Sequence, residues 1–170
     1  MSATLHTERV AEHTLILLRH SKSDWSGNEA DIDRPLAKRG RRQAAEAGQW
    51  LATYVDRIDV AVVSTAERAR ATWDLVAAEL GERPETRHEE AAYAASVNEL
   101  LDIIRGLGEQ LGTVILVGHN PELEDLSEAL LGTRVALPTS ALAVIDFDGP
   151  WRSAGRMPGL LRAAGRPPAG

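Results

Sequence analysis

The sequence predicts an α/β fold: a three-layer sandwich with a mostly parallel central sheet flanked by helices on both faces. Three observations lead there. Four short apolar runs have the length of strands, and three of them are continuous rather than alternating, as strands covered on both faces require. The segments between them repeat apolar residues at helical spacing. Strand and helix alternate along the chain, the order that builds parallel neighbours through crossovers.

The strands are expected at Leu15, Ile16, Leu17 and Leu18, at Val60, Ala61, Val62 and Val63, at Val114, Ile115, Leu116 and Val117, and from Ala141 to Phe147. Four helical faces fall between and after them: Ala44, Gly48, Leu51 and Val55; Ala69, Trp73, Val76 and Leu80; Val97, Leu100, Leu101, Ile104 and Leu107; Leu123, Leu126 and Leu130. Ser64-Thr65-Ala66-Glu67 has capping-box spacing. Asn120-Pro121 reads as an N-cap followed by the first helical residue.

Composition narrows the function classes. The 170 residues suit one domain, and 44% hydrophobic with 26% charged residues is ordinary for a folded one. With no cysteine, disulfide scaffolds, thiolate metal centres and a Cys nucleophile are excluded. No apolar run approaches the ~18 residues of a membrane span, and the charged stretch from Met1 to His13 does not read as a secretory signal, so a cytoplasmic protein is expected. Residues 1–150 are expected to form a single domain. Residues 151–170, rich in Gly and Pro, carry four Arg and no acid, and are expected to be a flexible basic tail. The net charge is −6, which leaves −10 on the body and argues against a nucleic-acid partner.

Three strands end in polar residues of one kind: Arg19-His20, Ser64 with Arg68 beyond it, and Gly118-His119-Asn120. Ligands bind beyond the carboxyl ends of strands in an open parallel sheet. Two imidazoles and two guanidinium groups should therefore meet at one edge. Arginine forks suit phosphate oxygens, and helix N-termini after Ser64 and Asn120 would add backbone donors. A neutral His20 facing that site can attack phosphorus, and its cationic surroundings would keep it unprotonated. A charged His119 would donate to the phosphoryl oxygens.

These residues carry a resemblance. Leu18-Arg19-His20-Ser21-Lys22-Ser23, Arg34-Pro35-Leu36 with Gly40, Ser64-Thr65-Ala66-Glu67-Arg68-Ala69 with Thr72, and Val117-Gly118-His119-Asn120-Pro121 resemble the histidine phosphatase (phosphoglycerate mutase-like) superfamily, and in particular its short SixA-type phosphohistidine phosphatases. The resemblance implies His20 as a transiently phosphorylated nucleophile, Arg19 and Arg68 as the grip on the phosphoryl group, and His119 as the residue that completes the pocket. It implies no metal and no organic cofactor. Lys22, Ser64 and Asn120 are further phosphate-binding candidates. Glu90, ahead of Ala91-Ala92-Tyr93, is a candidate proton donor, with Glu89 beside it.

Some positions depart from the family pattern. Ser21 stands where Gly or Ala is usual, with little effect expected. Ala37 stands where Thr or Ser is frequent, which removes an N-cap worth ~1 kcal/mol. Arg34-Pro35-Leu36 by itself reads as a helix start. The segments from Arg68 to Ala92 and from Ala92 to Gly118 are short enough to be absorbed by helices, leaving no room for a lid, so an open pocket is expected.

The expected activity is a metal-independent phosphatase acting through phospho-His20 on a phosphomonoester or phosphoramidate, foremost protein phosphohistidine. The expected partner is a phosphorylated protein or a small phosphorylated molecule, with no membrane. A small-molecule phosphatase or mutase, and a non-catalytic phosphate- or phosphoprotein-binding module, are the alternatives.

Overall fold

The computed structural model describes residues 11–168. Most of the stretch read as a non-signal N-terminus, and the last two residues of the expected tail, lie outside them. The elements run β1 (His13–Arg19), α1 (Lys38–Tyr54), β2 (Val60–Ser64), α2 (Glu67–Ala78), β3 (Glu85–Glu89), α3 (Val97–Arg105), β4 (Thr113–Gly118), α4 (Glu122–Leu131), β5 (Leu142–Phe147) and β6 (Leu160–Gly165), with single 3-10 turns at Asp31–Asp33, Glu90–Ala92 and Trp151–Ser153.

One sheet has the order β3-β2-β4-β1-β5-β6. Its first four strands are mutually parallel, and β5 alone runs against its two neighbours. The alternation of side chains across each strand builds two cores. Leu15 and Leu17 of β1 join Val60, Val62, Val114 and Leu116 under α3 and α4. Ile16 and Leu18 join Ala61, Val63, Ile115 and Val117 under α1 and α2. This is why the central strands read as unbroken apolar runs: both faces are covered. The expected three-layer α/β architecture, with a mostly parallel sheet, is the one observed.

All four expected helices and all four expected strands are present. Two strands were not expected, and both are edges. β3 is Glu-Thr-Arg-His-Glu, pairs only with β2 and is largely exposed, so it carries no apolar signal. A charged edge also discourages pairing with another chain. β6 lies at the opposite edge, paired with β5 through a register shift at Val144 and Ile145.

That strand corrects the expected flexible tail. Trp151 is 1% exposed and packs in the core, its indole N–H donating to the Leu111 carbonyl at 2.8 Å. Arg162 then grips Asp146 through Nε and Nη2 at 2.9 and 3.0 Å. The Arg residues of this segment read as a solvated tail by composition, yet one of them closes an ion pair across the sheet edge.

Helix starts differ in detail. The N-cap of α2 is Ala66 with no side-chain cap, so the capping box expected at Ser64 and Glu67 does not form. Ser64 remains in β2, where its hydroxyl has other work in the site. α4 begins one residue later than expected, after a cis Asn120-Pro121 bond. A capping box does form at Ser96 and Glu99, ahead of α3. The missing cap at Ala37 is as read: its backbone is extended and no side chain caps α1.

Two stability changes follow. Trp151→Ala should lower the unfolding free energy by about 3–5 kcal/mol, the range for truncating a buried Trp; a loss within ~0.5 kcal/mol in urea titration would return the segment to a dispensable tail. Ala37→Ser should raise it by ~1 kcal/mol in the same titration.

Candidate active site

The site lies beyond the carboxyl ends of β1, β2 and β4. A cavity of about 260 Å³ there is lined by Arg19, His20, Lys22, Ser23, Trp25, Arg34, Arg68, His119, Asn120 and Thr139. The four side chains expected to converge do so. The His20 and His119 rings are 5.1 Å apart between centroids. His20, Arg68 and His119 are all buried, at 6%, 6% and 9% exposure.

The backbone around His20 is held from three sides. Its N–H donates to the Gly118 carbonyl of β4 at 3.0 Å, and its carbonyl accepts from Ser140 N–H at 3.1 Å. Ser21 N–H donates to Thr72 Oγ1 at 2.9 Å, and that hydroxyl donates to the Arg68 carbonyl at 2.7 Å. One threonine therefore ties the nucleophile loop to the helix that carries Arg68. The Ser21 hydroxyl is not idle, contrary to the expectation of little effect: it donates to Ser140 Oγ at 3.0 Å. Ser140 sits at φ +63°, a strained conformation for a residue with a Cβ, and this bond helps hold it. Gly40 explains its own place in the pattern. A Cβ there would stand 2.0 Å from the Lys22 carbonyl oxygen, so α1 could not approach the loop as closely.

Hydrogen bonds assign the imidazoles opposite roles. His20 Nδ1 lies 2.8 Å from the Ser21 carbonyl, which can only accept. The proton therefore sits on Nδ1 and the Nε2 lone pair is free. Ser64 Oγ lies 2.7 Å from His119 Nε2 and accepts the Ala66 N–H at 3.3 Å. Ser64 has no exposed surface, so its hydroxyl proton needs an acceptor, and Nε2 is the one available. His119 then carries its proton on Nδ1, which is buried and has no protein partner.

Both rings are held neutral. Burial is the leading cause, pushing His20 down to about 3 against the opposing pull of the Ser21 carbonyl, with His119, Arg68 and Arg19 adding to the shift. Burial, then Arg68, Arg19 and Arg34, push His119 down to about 4, opposed by Asp31. The cationic neighbours expected to keep His20 unprotonated do act in that direction, and dehydration, which that expectation left out, is the larger cause. The charged His119 expected from the sequence is replaced by a neutral donor.

The guanidinium groups leave donors unused. Nε of Arg19, Arg34 and Arg68 is buried without a partner. Arg19 otherwise donates to the Leu137 carbonyl at 3.3 Å. Arg68 Nη1 and Nη2 donate to the backbone oxygen and the carboxylate of Asp31 at 2.7 and 3.1 Å. Arg34 Nη2 reaches the same carboxylate at 3.2 Å. Tyr93 O–H donates to it at 2.6 Å, and the Tyr93 ring meets the edge of His119. The Tyr93 hydroxyl, with Arg34 and Arg68, holds Asp31 below the usual carboxylate range.

Several expectations are thereby revised. Arg34 is buried at the cavity wall rather than simply starting a helix. Ser64 does not line the cavity and serves His119 instead of an incoming phosphate. Asn120 does line it, with its amide N–H donating to the Leu137 carbonyl at 2.8 Å. Lys22 lines it and is exposed. Glu89 and Glu90 do not line it; Glu90 is exposed and Glu89 accepts from the Ala91 N–H at 3.3 Å. Asp31, Tyr93, Trp25 and Thr139 were missed, as was Arg166, which donates to the Thr139 carbonyl at 2.7 Å from the expected tail. Only Asp31 had a sequence signal, three residues before Arg34. Among the described residues, no three His, Asp or Glu side chains are grouped to hold a metal ion. No helix among them is long and apolar enough to cross a membrane.

A cationic oxyanion pocket at the carboxyl edge of a mostly parallel sheet, with one imidazole free to accept and another to donate, defines the class of protein. Comparison with known proteins narrows it. The profile of the histidine phosphatase superfamily (branch 1) matches residues 15–91. An uncharacterized Mycobacterium tuberculosis protein is 36% identical over 145 residues, spanning 79% of this chain and 89% of the relative. Two SixA structures, both provisionally assigned as phosphohistidine phosphatases, share the fold. That of Nakamurella multipartitia has 27% identity and a TM-score of 0.82, covering 92% of this chain and 97% of its own. That of Agrobacterium tumefaciens has 28% identity and a TM-score of 0.79, covering 91% and 98%. The chain belongs to the histidine phosphatase superfamily and groups with its SixA-type branch.

The neutral imidazoles give a pH test. Their folded values, about 3 and 4, lie below the ordinary 6.5, so the unfolded chain takes up protons first as the solution is acidified. Stability should therefore fall as pH drops from 6.5 toward 4. Urea midpoints across that window should fall less steeply for His20→Asn than for wild type; parallel slopes would mean that His20 is not held neutral.

Proposed function

We propose that this phosphatase is metal-independent, works through a phospho-His20 intermediate, and takes as its foremost substrate a phosphohistidine side chain of another protein. The observation that carries the reading is the pairing of a free His20 Nε2 with unused donors on His119 and three arginines around one small cavity.

In the first step the His20 Nε2 lone pair attacks phosphorus. The bond from phosphorus to the substrate's oxygen or nitrogen breaks, and the leaving atom departs with the bonding pair and takes up a proton from solvent water. Arg19, Arg34, Arg68 and the His119 Nδ1 proton stabilise the charge on the three equatorial oxygens. Water then attacks the same phosphorus, the bond to His20 breaks, and inorganic phosphate leaves with Nε2 restored to its lone pair.

The leaving group follows from the carboxylates. An alkoxide needs a strong acid to protonate it. Among the described residues, no Asp or Glu lines the cavity. Asp31 is held ionised by the very groups it orients, so it is a poor acid. An imidazole leaving from a P–N bond makes the smaller demand. The cavity, at about 260 Å³, also suits a side chain presented by a partner better than an extended small molecule. Three guanidinium groups would repel a divalent cation, which is the physical basis for expecting no metal.

A panel of phosphohistidine peptide, phosphoserine peptide, nucleotide and sugar phosphate on one preparation tests the substrate; faster turnover of the sugar phosphate than of the phosphohistidine peptide would overturn the assignment. His20→Ala should reduce hydrolysis of p-nitrophenyl phosphate to background, and retained turnover would remove the covalent step. Arg68→Ala should weaken inhibition by inorganic phosphate roughly ten- to hundredfold, the loss of a charged hydrogen bond. Chelators should leave the rate intact, and a loss restored by zinc or magnesium would contradict the metal-free reading.

A further inference from the structure

Trp25 both lines the cavity and stands exposed; Tyr54 is exposed too, at 63%, but does not line it. Trp73 and Trp151 are fully buried, whereas Trp25 is 70% exposed while lining the cavity. A large indole left in water has no packing reason to be ordered. Here it is ordered from beneath. The Arg34 guanidinium carbon lies 3.5 Å from the ring centroid. Arg34 is itself fixed by Ser23 Oγ and the Asp31 carboxylate. The loop is pinned on both sides of the ring: Ser23 bridges Leu36, Asp24 N–H donates to the Pro35 carbonyl at 2.8 Å, and Ser26 N–H donates to Asp24 Oδ1 at 2.8 Å. The ring is thus held by a cation on one side with most of its surface open.

The cavity has a direction. His20, Arg34, Arg68 and His119 are buried and supply the donors a phosphoryl group needs. The exposed lining residues are Lys22 and Trp25, and Trp25 alone offers an aromatic face. A phosphoryl group seated among the buried donors leaves its leaving group beside these two.

We propose that Trp25 is a specificity residue: its open surface stacks against the leaving group and selects phosphoryl donors whose leaving group is a flat aromatic ring, the imidazole of phosphohistidine foremost. The inference rests on the phosphatase reading above and deepens it. A serine leaving group is one methylene and an oxygen, with no face to stack. An imidazole ring has one, and preorganisation by Arg34 means that little ordering remains to be done on binding. The selectivity is therefore set by an interaction at the leaving group, separate from the arginines that hold the phosphate.

The test uses the full chain, two peptides identical except for phosphohistidine or phosphoserine, and the variants Trp25→Leu and Trp25→Phe. Trp25→Leu should lower the ratio of kcat/KM on phosphohistidine to that on phosphoserine by about tenfold, and Trp25→Phe should restore most of it. The inhibition constant of inorganic phosphate should stay within about twofold of wild type, since phosphate has no leaving group to stack. An equal fall on both peptides, with phosphate inhibition weakened in step, would show that Trp25 acts only by propping Arg34 and would overturn the proposal. An unchanged ratio would overturn it as well. Should wild type fail on the phosphohistidine peptide, the substrate assignment falls by itself. The platform is then judged by the same ratio for p-nitrophenyl phosphate over phosphoserine peptide.

Discussion

Positive charge gathered in a dehydrated pocket is the constraint on which the rest of this structure depends. Arg34 and Arg68 are buried and Arg19 is half-buried, all against one cavity, with Asp31 the carboxylate that touches two of them. Each keeps a buried Nε without a partner. Like charges at close range repel, and unmet donors in a dry site are unfavourable. A fold tolerates this only if other contacts hold the groups in place. The two cores on either side of the sheet supply that rigidity, and the ends of β1, β2 and β4 deliver the side chains to one rim. A tetrahedral oxyanion would relieve the repulsion and satisfy the donors together.

The same dehydration sets the chemistry of the imidazoles. Two identical side chains, 5.1 Å apart, acquire complementary roles through their second nitrogen. A backbone carbonyl that can only accept fixes the His20 proton on Nδ1. A buried hydroxyl with a proton to place fixes the His119 proton on the other atom of that ring's pair. Burial lowers both pKa values, so neither role depends on a protonation that neutral solution would have to supply. Ser64 is thus more useful behind His119 than in front of the phosphate.

How much was legible in the sequence follows from where apolar burial occurs. β1, β2, β4 and β5 could be read because they are covered on both faces and must be apolar. β3 and β6 could not, since an edge strand is held by backbone bonds to one neighbour and its side chains meet solvent. Composition misled most in the last twenty residues: Gly, Pro and Arg suggest a solvated tail, but Trp151 anchors the segment in the core. Within the site, Arg19, His20, Arg68 and His119 were legible because each sits at or shortly after a strand end. Trp25, Asp31, Tyr93, Thr139 and Arg166 come from loops or from the chain terminus. Asp31 alone has a local signal, three residues before Arg34, and nothing in the spacing of the others announces contacts across 27 or 62 residues.

Asp31, not Glu90, is the carboxylate that touches the arginines. A proton donor is a carboxyl able to give up its proton, and the surroundings of Asp31 do the reverse. Tyr93 and two arginines stabilise its charged form, so it works as a fixed anion that aims guanidinium groups. Making it an acid would require removing those partners and releasing the arginines it orients. One carboxylate cannot serve both ends here, and the structure commits it to aiming the arginines. In the mechanism proposed above, the burden of departure then falls on the leaving group itself. Recognition of that group at the mouth of the cavity, as proposed for Trp25, is the means of choosing that such a mechanism leaves.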